Sequence, residues 1–191
     1  MAHCFSRLHS TIPFLIFLRW RSLSHFRLRW STVYIFFLGG PLQEEFGWRG
    51  YAFEKLRGQY SALTASIVAG LMWGLWHLPL FFVPRAEAYY NRPVWGLLLT
   101  TTLVGIILAW FYANTRGSVF AAMLGHTMFN WSNYVFPSLD SDYAALILFG
   151  LYFVVVVYIL WQYGIRTFTR RGGHDGSDIT EISTSEQGDT V

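Results

Sequence analysis

Apolar residues dominate four long stretches of the chain, residues 61–83, 93–113, 118–136 and 143–165, each nineteen to twenty-three residues long. That length crosses a hydrocarbon layer with some tilt. The stretches lack the strict alternation of barrel strands, and lipid admits only helices or closed barrels, so each predicts a helix. The linkers 84–92, 114–117 and 137–142 are short, which predicts antiparallel neighbours. Small residues fall where helices would approach closely: Ala65, Ala69, Gly70 and Gly74 in the first stretch, Ala121, Ala122 and Gly125 in the third. The expected architecture is all-α, a polytopic transmembrane helical bundle.

The polar positions interrupt this pattern in few places. After the apolar run 33–38 comes Gly39-Gly40-Pro41, and then Gln43-Glu44-Glu45-Phe46-Gly47-Trp48-Arg49-Gly50-Tyr51. Residues 31–60 suit helix, with a fresh start at Pro41, because proline in a first turn loses no needed N–H. Glu44 and Glu45 then lie near the positive end of the helix dipole. Glu54, Lys55 and Arg57 before Gly58 read as the polar end of the same helix. Two adjacent acids among apolar runs are costly, at least about 2.5–3.5 kcal/mol each on insertion scales, and such acids are functional by default. Glu45 and Arg49 stand at i and i+4, which predicts a charge pair. Glu44, about 100° further round the helix, is left to face a cavity.

Three more polar residues resist a packing explanation. His77 comes late in the first long stretch, and His126 and Asn130 sit mid-stretch in the third, four apart and so on one helical face. A lone histidine in such a place often only bridges two helices. An acid, two imidazoles and an amide together suit peptide hydrolysis, in which a water loses a proton as it attacks and an oxyanion develops. Glu44 serves as general base or as a metal ligand. His77 and His126 serve either as zinc ligands, with one position open to water, or as donors to the oxyanion with Asn130 assisting. The tryptophans, Trp73 and Trp76 among them, read as packing or interface anchors.

Composition narrows the picture. Of 191 residues 53% are hydrophobic and only 13% charged, against about 25% charged in globular proteins. The single cysteine, Cys4, excludes an intramolecular disulfide framework and a cysteine zinc cluster. Thirteen of the fourteen basic residues are arginine, scattered among apolar residues and at segment ends; that is membrane-interface anchoring, with no nucleic-acid partner expected. Residues 1–30 hold an apolar run too short to span, followed by arginines, and are expected to be an interfacial basic segment or the remnant of a longer protein. Residues 31–168 form the membrane domain, and 169–191, which carry five of the eleven acids, an acidic disordered tail. With alternating spans, Arg49, Lys55, Arg57, Arg116, Arg166, Arg170 and Arg171 share one side against Arg85 and Arg92. The positive-inside rule puts that side, with the C-terminus, in the cytoplasm of what the arginine bias and compact size suggest is a prokaryote, at its plasma membrane.

These residues resemble the family of CAAX-processing and bacteriocin-processing intramembrane peptidases, also called Abi or CPBP. Its Glu-Glu-x-x-x-Arg motif is met by Glu44 to Arg49, its Phe-x-x-x-His by Trp73 to His77, and its His-x-x-x-Asn by His126 to Asn130. The resemblance runs from about residue 40 to 136. It implies an all-helical membrane fold opened toward the cytoplasm, in which Glu44 activates water near His77, His126 and Asn130, supported by Glu45 and Arg49. Zinc, where used, would be held by Glu44, His77 and His126; a metal-free glutamate mechanism is the alternative. Trp73 stands where phenylalanine is usual, and relatives usually carry further spans before the Glu-Glu helix.

The expected activity is an intramembrane metalloendopeptidase cutting a membrane-delivered peptide, either the C-terminus of a prenylated protein or a bacteriocin-like peptide. The competing readings are a non-enzymatic scaffold or transporter-like bundle using the His/Glu set as a proton relay, and an inactive truncated relative.

Overall fold

A computed structural model of the protein describes residues 25–86, 88–90, 92–136 and 141–169. The basic stretch 1–24 and the acidic stretch 170–191, for which an interfacial segment and a tail are expected, lie outside the described residues. Among the described residues all regular structure is helical, as the apolar stretches require.

Helix α1, His25–Leu38, starts earlier than Ser31, with Arg27 and Arg29 drawn into it. It stops at Gly39-Gly40. Helix α2, Pro41–Gly47, begins at the proline as expected, behind Gly40 at φ 106°, a backbone that L side chains rarely adopt. It continues into a π-helical stretch, Trp48–Phe53, and ends as the short helix α3, Glu54–Arg57, at Gly58. The π turn was not legible in the sequence; such turns are frequent at functional sites.

Helix α4, Ala62–Trp76, is capped by Ser61, whose side chain accepts from the Thr64 N–H at 3.1 Å. Pro79 cannot donate to the carbonyl four residues back. The helix therefore breaks at His77 and goes on as a 3-10 stretch, Leu78–Phe82. Helix α5 is Val94–Asn114, α6 Val119–Val135, and α7 Asp142–Tyr163.

Three of these are long and apolar enough to cross a membrane: Ala62–Phe82, Val94–Asn114 and Asp142–Tyr163. The fourth expected span is a helix of 17 residues, α6, which carries His126, Asn130, Ser132 and Asn133 from its middle onward. Its polar residues are spent on the interior of the bundle, which lowers its hydropathy. The molecule is an integral membrane protein, an all-α helical membrane bundle.

The bundle is tightest between α4 and α5. A Cβ at Gly70 would come within 2.8 Å of the Thr102 Cα, and one at Gly74 within 2.6 Å of the Thr101 Oγ1, so these small residues set the interhelical distance. Below them Phe53, Ala62, Ala65, Ile106, Tyr112 and Ile159 are buried in one cluster. That cluster ties the end of the Glu-Glu segment to α4, α5 and α7. Helix α7 packs on the outside: only 11% of its apolar window is buried, and Phe153, Val154, Val157 and Trp161 are exposed. In a membrane that face meets lipid.

Candidate active site

Glu44, His77, His126 and Asn130 all line one cavity of about 760 Å³ enclosed by α2, α4, α5, α6 and α7. The elements explain why they meet. Gly40 bends the chain so that α2 enters beside α6, and Asn130 fastens that bend by donating Nδ2–H to the Gly39 carbonyl at 3.2 Å. A Cβ on Gly40 would collide with the Glu44 Oε1. Glycine there is thus required twice, for its backbone angle and for the room it leaves the carboxylate.

Glu44 is half-buried, and its Oε2 accepts the indole N–H of Trp73 at 2.7 Å. Glu45 points away from the cavity and is 0% exposed. Its Oε1 accepts from Arg49 Nη1 at 2.8 Å and from His126 Nδ1 at 2.8 Å, while Oε2 has no partner among the described residues. The i, i+4 pair expected from the sequence is therefore present, and it also fixes a histidine 81 residues away. Neither Glu45 nor Arg49 lines the cavity.

His77, 8% exposed, occupies the break between α4 and its 3-10 continuation. Its Nδ1 lies 2.9 Å from the Trp73 carbonyl. A carbonyl can only accept, so Nδ1 carries the proton and Nε2 is the ring nitrogen left for the cavity. His126 repeats this with a carboxylate: Nδ1–H goes to Glu45, and Nε2 remains. Both imidazoles are thus oriented through Nδ1, as ligating or proton-handling histidines are.

Tyr89, in the loop before α5, is stacked on His77 at 5.5 Å between ring centroids and 24° between planes. It also lines the cavity. Burial, and then the charge of Glu44, push its hydroxyl above the ordinary tyrosine value, so it stays protonated at neutral pH. Local sequence could not have indicated it, since no periodicity places a loop residue on a particular wall.

The fit of zinc to these donors can be read from their partners. Among the described residues no three His, Cys, Asp or Glu side chains gather as a metal-binding group. One oxygen of Glu44 is already held by Trp73. The arrangement does not fit a three-residue zinc set.

Comparison with known proteins identifies the family. The model of the family described as "Type II CAAX prenyl endopeptidase Rce1-like" matches residues 25–132, a span that contains Glu44, Trp73, His77, Tyr89, His126 and Asn130. The chain is 40% identical over 92 residues to the CAAX prenyl protease 2 of Methanococcus maripaludis, covering 46% of this chain and 34% of that protein. It thus spans about a third of the length of the curated relative it matches. No solved structure matches. With more than half of its residues inside the family match, from α1 through His126 and Asn130, the chain belongs to the type II CAAX prenyl endopeptidase Rce1-like family.

Proposed function

We propose that this chain is an intramembrane endopeptidase that cuts near the C-terminus of a prenylated, CAAX-type protein or peptide, with Glu44 as the general base. The observation that carries the reading is the meeting of Glu44, His77, His126 and Asn130, from three separate helical segments, on the wall of one cavity in an apolar bundle. The relative's name supports the substrate class over a bacteriocin-like peptide.

In this reading a water sits between Glu44 and the imidazoles. One of its protons passes to Glu44 Oε1, the oxygen not held by Trp73, while the other stays on the water oxygen and is donated as a hydrogen bond to an imidazole Nε2. The water oxygen attacks the scissile carbonyl carbon. The developing oxyanion takes a hydrogen bond from Asn130 Nδ2, which has a second N–H beyond the one given to Gly39. The C–N bond then breaks, and Glu44 returns its proton to the leaving amine. The positive-inside count supports a cytoplasmic C-terminus, the side on which prenylated termini are presented.

The test is cleavage of a farnesylated CAAX-type peptide by the protein in lipid nanodiscs, against the same peptide without the prenyl group. Each buried methylene contributes about 0.8 kcal/mol, so protein burial of only about three or four carbons of the prenyl chain lowers kcat/KM for the unprenylated peptide by on the order of 100-fold. Equal cleavage of both peptides would sink the prenyl assignment. Absence of any turnover would favour the scaffold reading.

A further inference from the structure

Trp73 touches Glu44, Arg49, His77 and His126, which is more than its expected part as packing. The side chain is 3% exposed, and an indole N–H is a donor with no acceptor capacity, so burial obliges it to find a partner. That partner is Glu44 Oε2, at 2.7 Å and 29 residues away in sequence. A hydrogen bond to a carboxylate is of the stronger, charge-assisted kind. The ring itself is gripped on several sides. The Arg49 guanidinium carbon lies 4.6 Å over the indole, His126 meets the ring at 5.0 Å and 77°, and His77 at 6.1 Å and 63°. The Trp73 backbone carbonyl takes the Nδ1–H of His77. One residue therefore orients the carboxylate through its side chain and an imidazole through its main chain.

We propose that Trp73 is a positioning residue: its indole N–H holds one oxygen of Glu44 so that the other stays aimed at the attacking water. The inference rests on Glu44 acting as the base in the reaction proposed above. Phenylalanine, the usual residue in this motif, fills the ring's place but has no N–H. In this chain the carboxylate would then be free to rotate about its last torsion. Oε1 lies beside Gly40, in the place a Cβ would take, and the indole supplies the hydrogen bond on the Oε2 side that sets the rotation.

The experiment replaces Trp73 by β-(3-benzothienyl)alanine, which keeps the shape of the bicyclic ring and puts sulfur in place of N–H, alongside Trp73→Phe. Both proteins and the parent are assayed on the farnesylated peptide. Misplacing a reacting group by about an ångström costs up to about 100-fold, and the expected result for the analogue is a fall in kcat of about tenfold or more with KM within about twofold. A packing role predicts loss in Trp73→Phe alone, so an analogue with the parent's kcat overturns the proposal. A second readout does not depend on turnover. With 15N-labelled tryptophan, the indole signal that disappears in Trp73→Phe is assigned to Trp73 and followed in Glu44→Gln. The bond to a carboxylate predicts that this signal moves upfield and exchanges faster with water; an unmoved signal overturns the contact. Failure of the parent to cut the peptide would defeat the proposed function and the catalytic consequence with it, while the indole signal still decides whether Trp73 holds Glu44.

Discussion

The replacement of Arg49 by methionine removes a buried cation while keeping much of its volume. In the folded protein Arg49 is 3% exposed and Glu45 0%. The Glu45 carboxylate has two donors, Arg49 and His126, both on Oε1 at 2.8 Å. Without Arg49 the anion keeps only the imidazole, and its Oε2 has no partner among the described residues to compensate. Removing one member of such a pair costs about 3–5 kcal/mol. Loss of the guanidinium from the face of Trp73 adds about 0.5–2 kcal/mol. Against a total stability of about 5–15 kcal/mol, the variant should be largely unfolded or degraded at 37 °C. The assay is reversible unfolding in mixed micelles, with membrane accumulation measured in parallel. The double variant Glu45→Gln with Arg49→Met removes both charges and leaves His126 an amide oxygen to donate to. Replacing a buried pair by neutral groups is often close to neutral, so the double variant should return to within about 2 kcal/mol of the parent. An Arg49→Met protein as stable as the parent would refute the reasoning, because it would mean that Glu45 is not held as a buried anion.

Three further outcomes follow from the same geometry. Gly40→Ala puts an L side chain at φ 106° and against Glu44 Oε1; a stability loss of about 1–3 kcal/mol is expected, with peptide cleavage reduced further than the folded fraction accounts for, as read from active-site-normalised rates. Asn130→Ala removes both the bond to Gly39 and the proposed oxyanion donor, and should lower kcat by about 10²–10³-fold with KM little changed in steady-state assays. Zinc per folded chain, measured in mild detergent after metal-free purification, should be well below one, since the donors do not gather as a three-residue set; near-stoichiometric zinc lost in His126→Ala would contradict that.

What was legible in the sequence was what local periodicity encodes. The start of α2 at Pro41 followed from proline's missing N–H, the Glu45–Arg49 pair from an i, i+4 spacing, and the close contact of α4 with α5 from the small residues Gly70 and Gly74. Three of the four expected spans stand out by length and hydropathy. The third stretch is less apolar, because it carries a polar face around His126 and Asn130. What the sequence did not display were the contacts between helices. That His126 is oriented by Glu45, and that Glu44 is held by Trp73, depends on how α2, α4 and α6 are set against one another, which no single-helix pattern specifies. Trp73 looked like packing because a tryptophan among apolar residues usually is; its N–H matters only once an acceptor is known to be within reach. The π turn at Trp48–Phe53 and the stacking of Tyr89 on His77 were hidden for the same reason.

The central claim is that Glu44 takes a proton from water. Glu44→Gln is nearly isosteric and cannot accept that proton, so single-turnover cleavage of the farnesylated peptide in nanodiscs, with enzyme in excess, tests the claim most directly. The account predicts a rate lower by about 10²–10⁴-fold in a protein that unfolds at the parent's denaturant concentration. Cleavage by Glu44→Gln at a rate close to the parent's would contradict it.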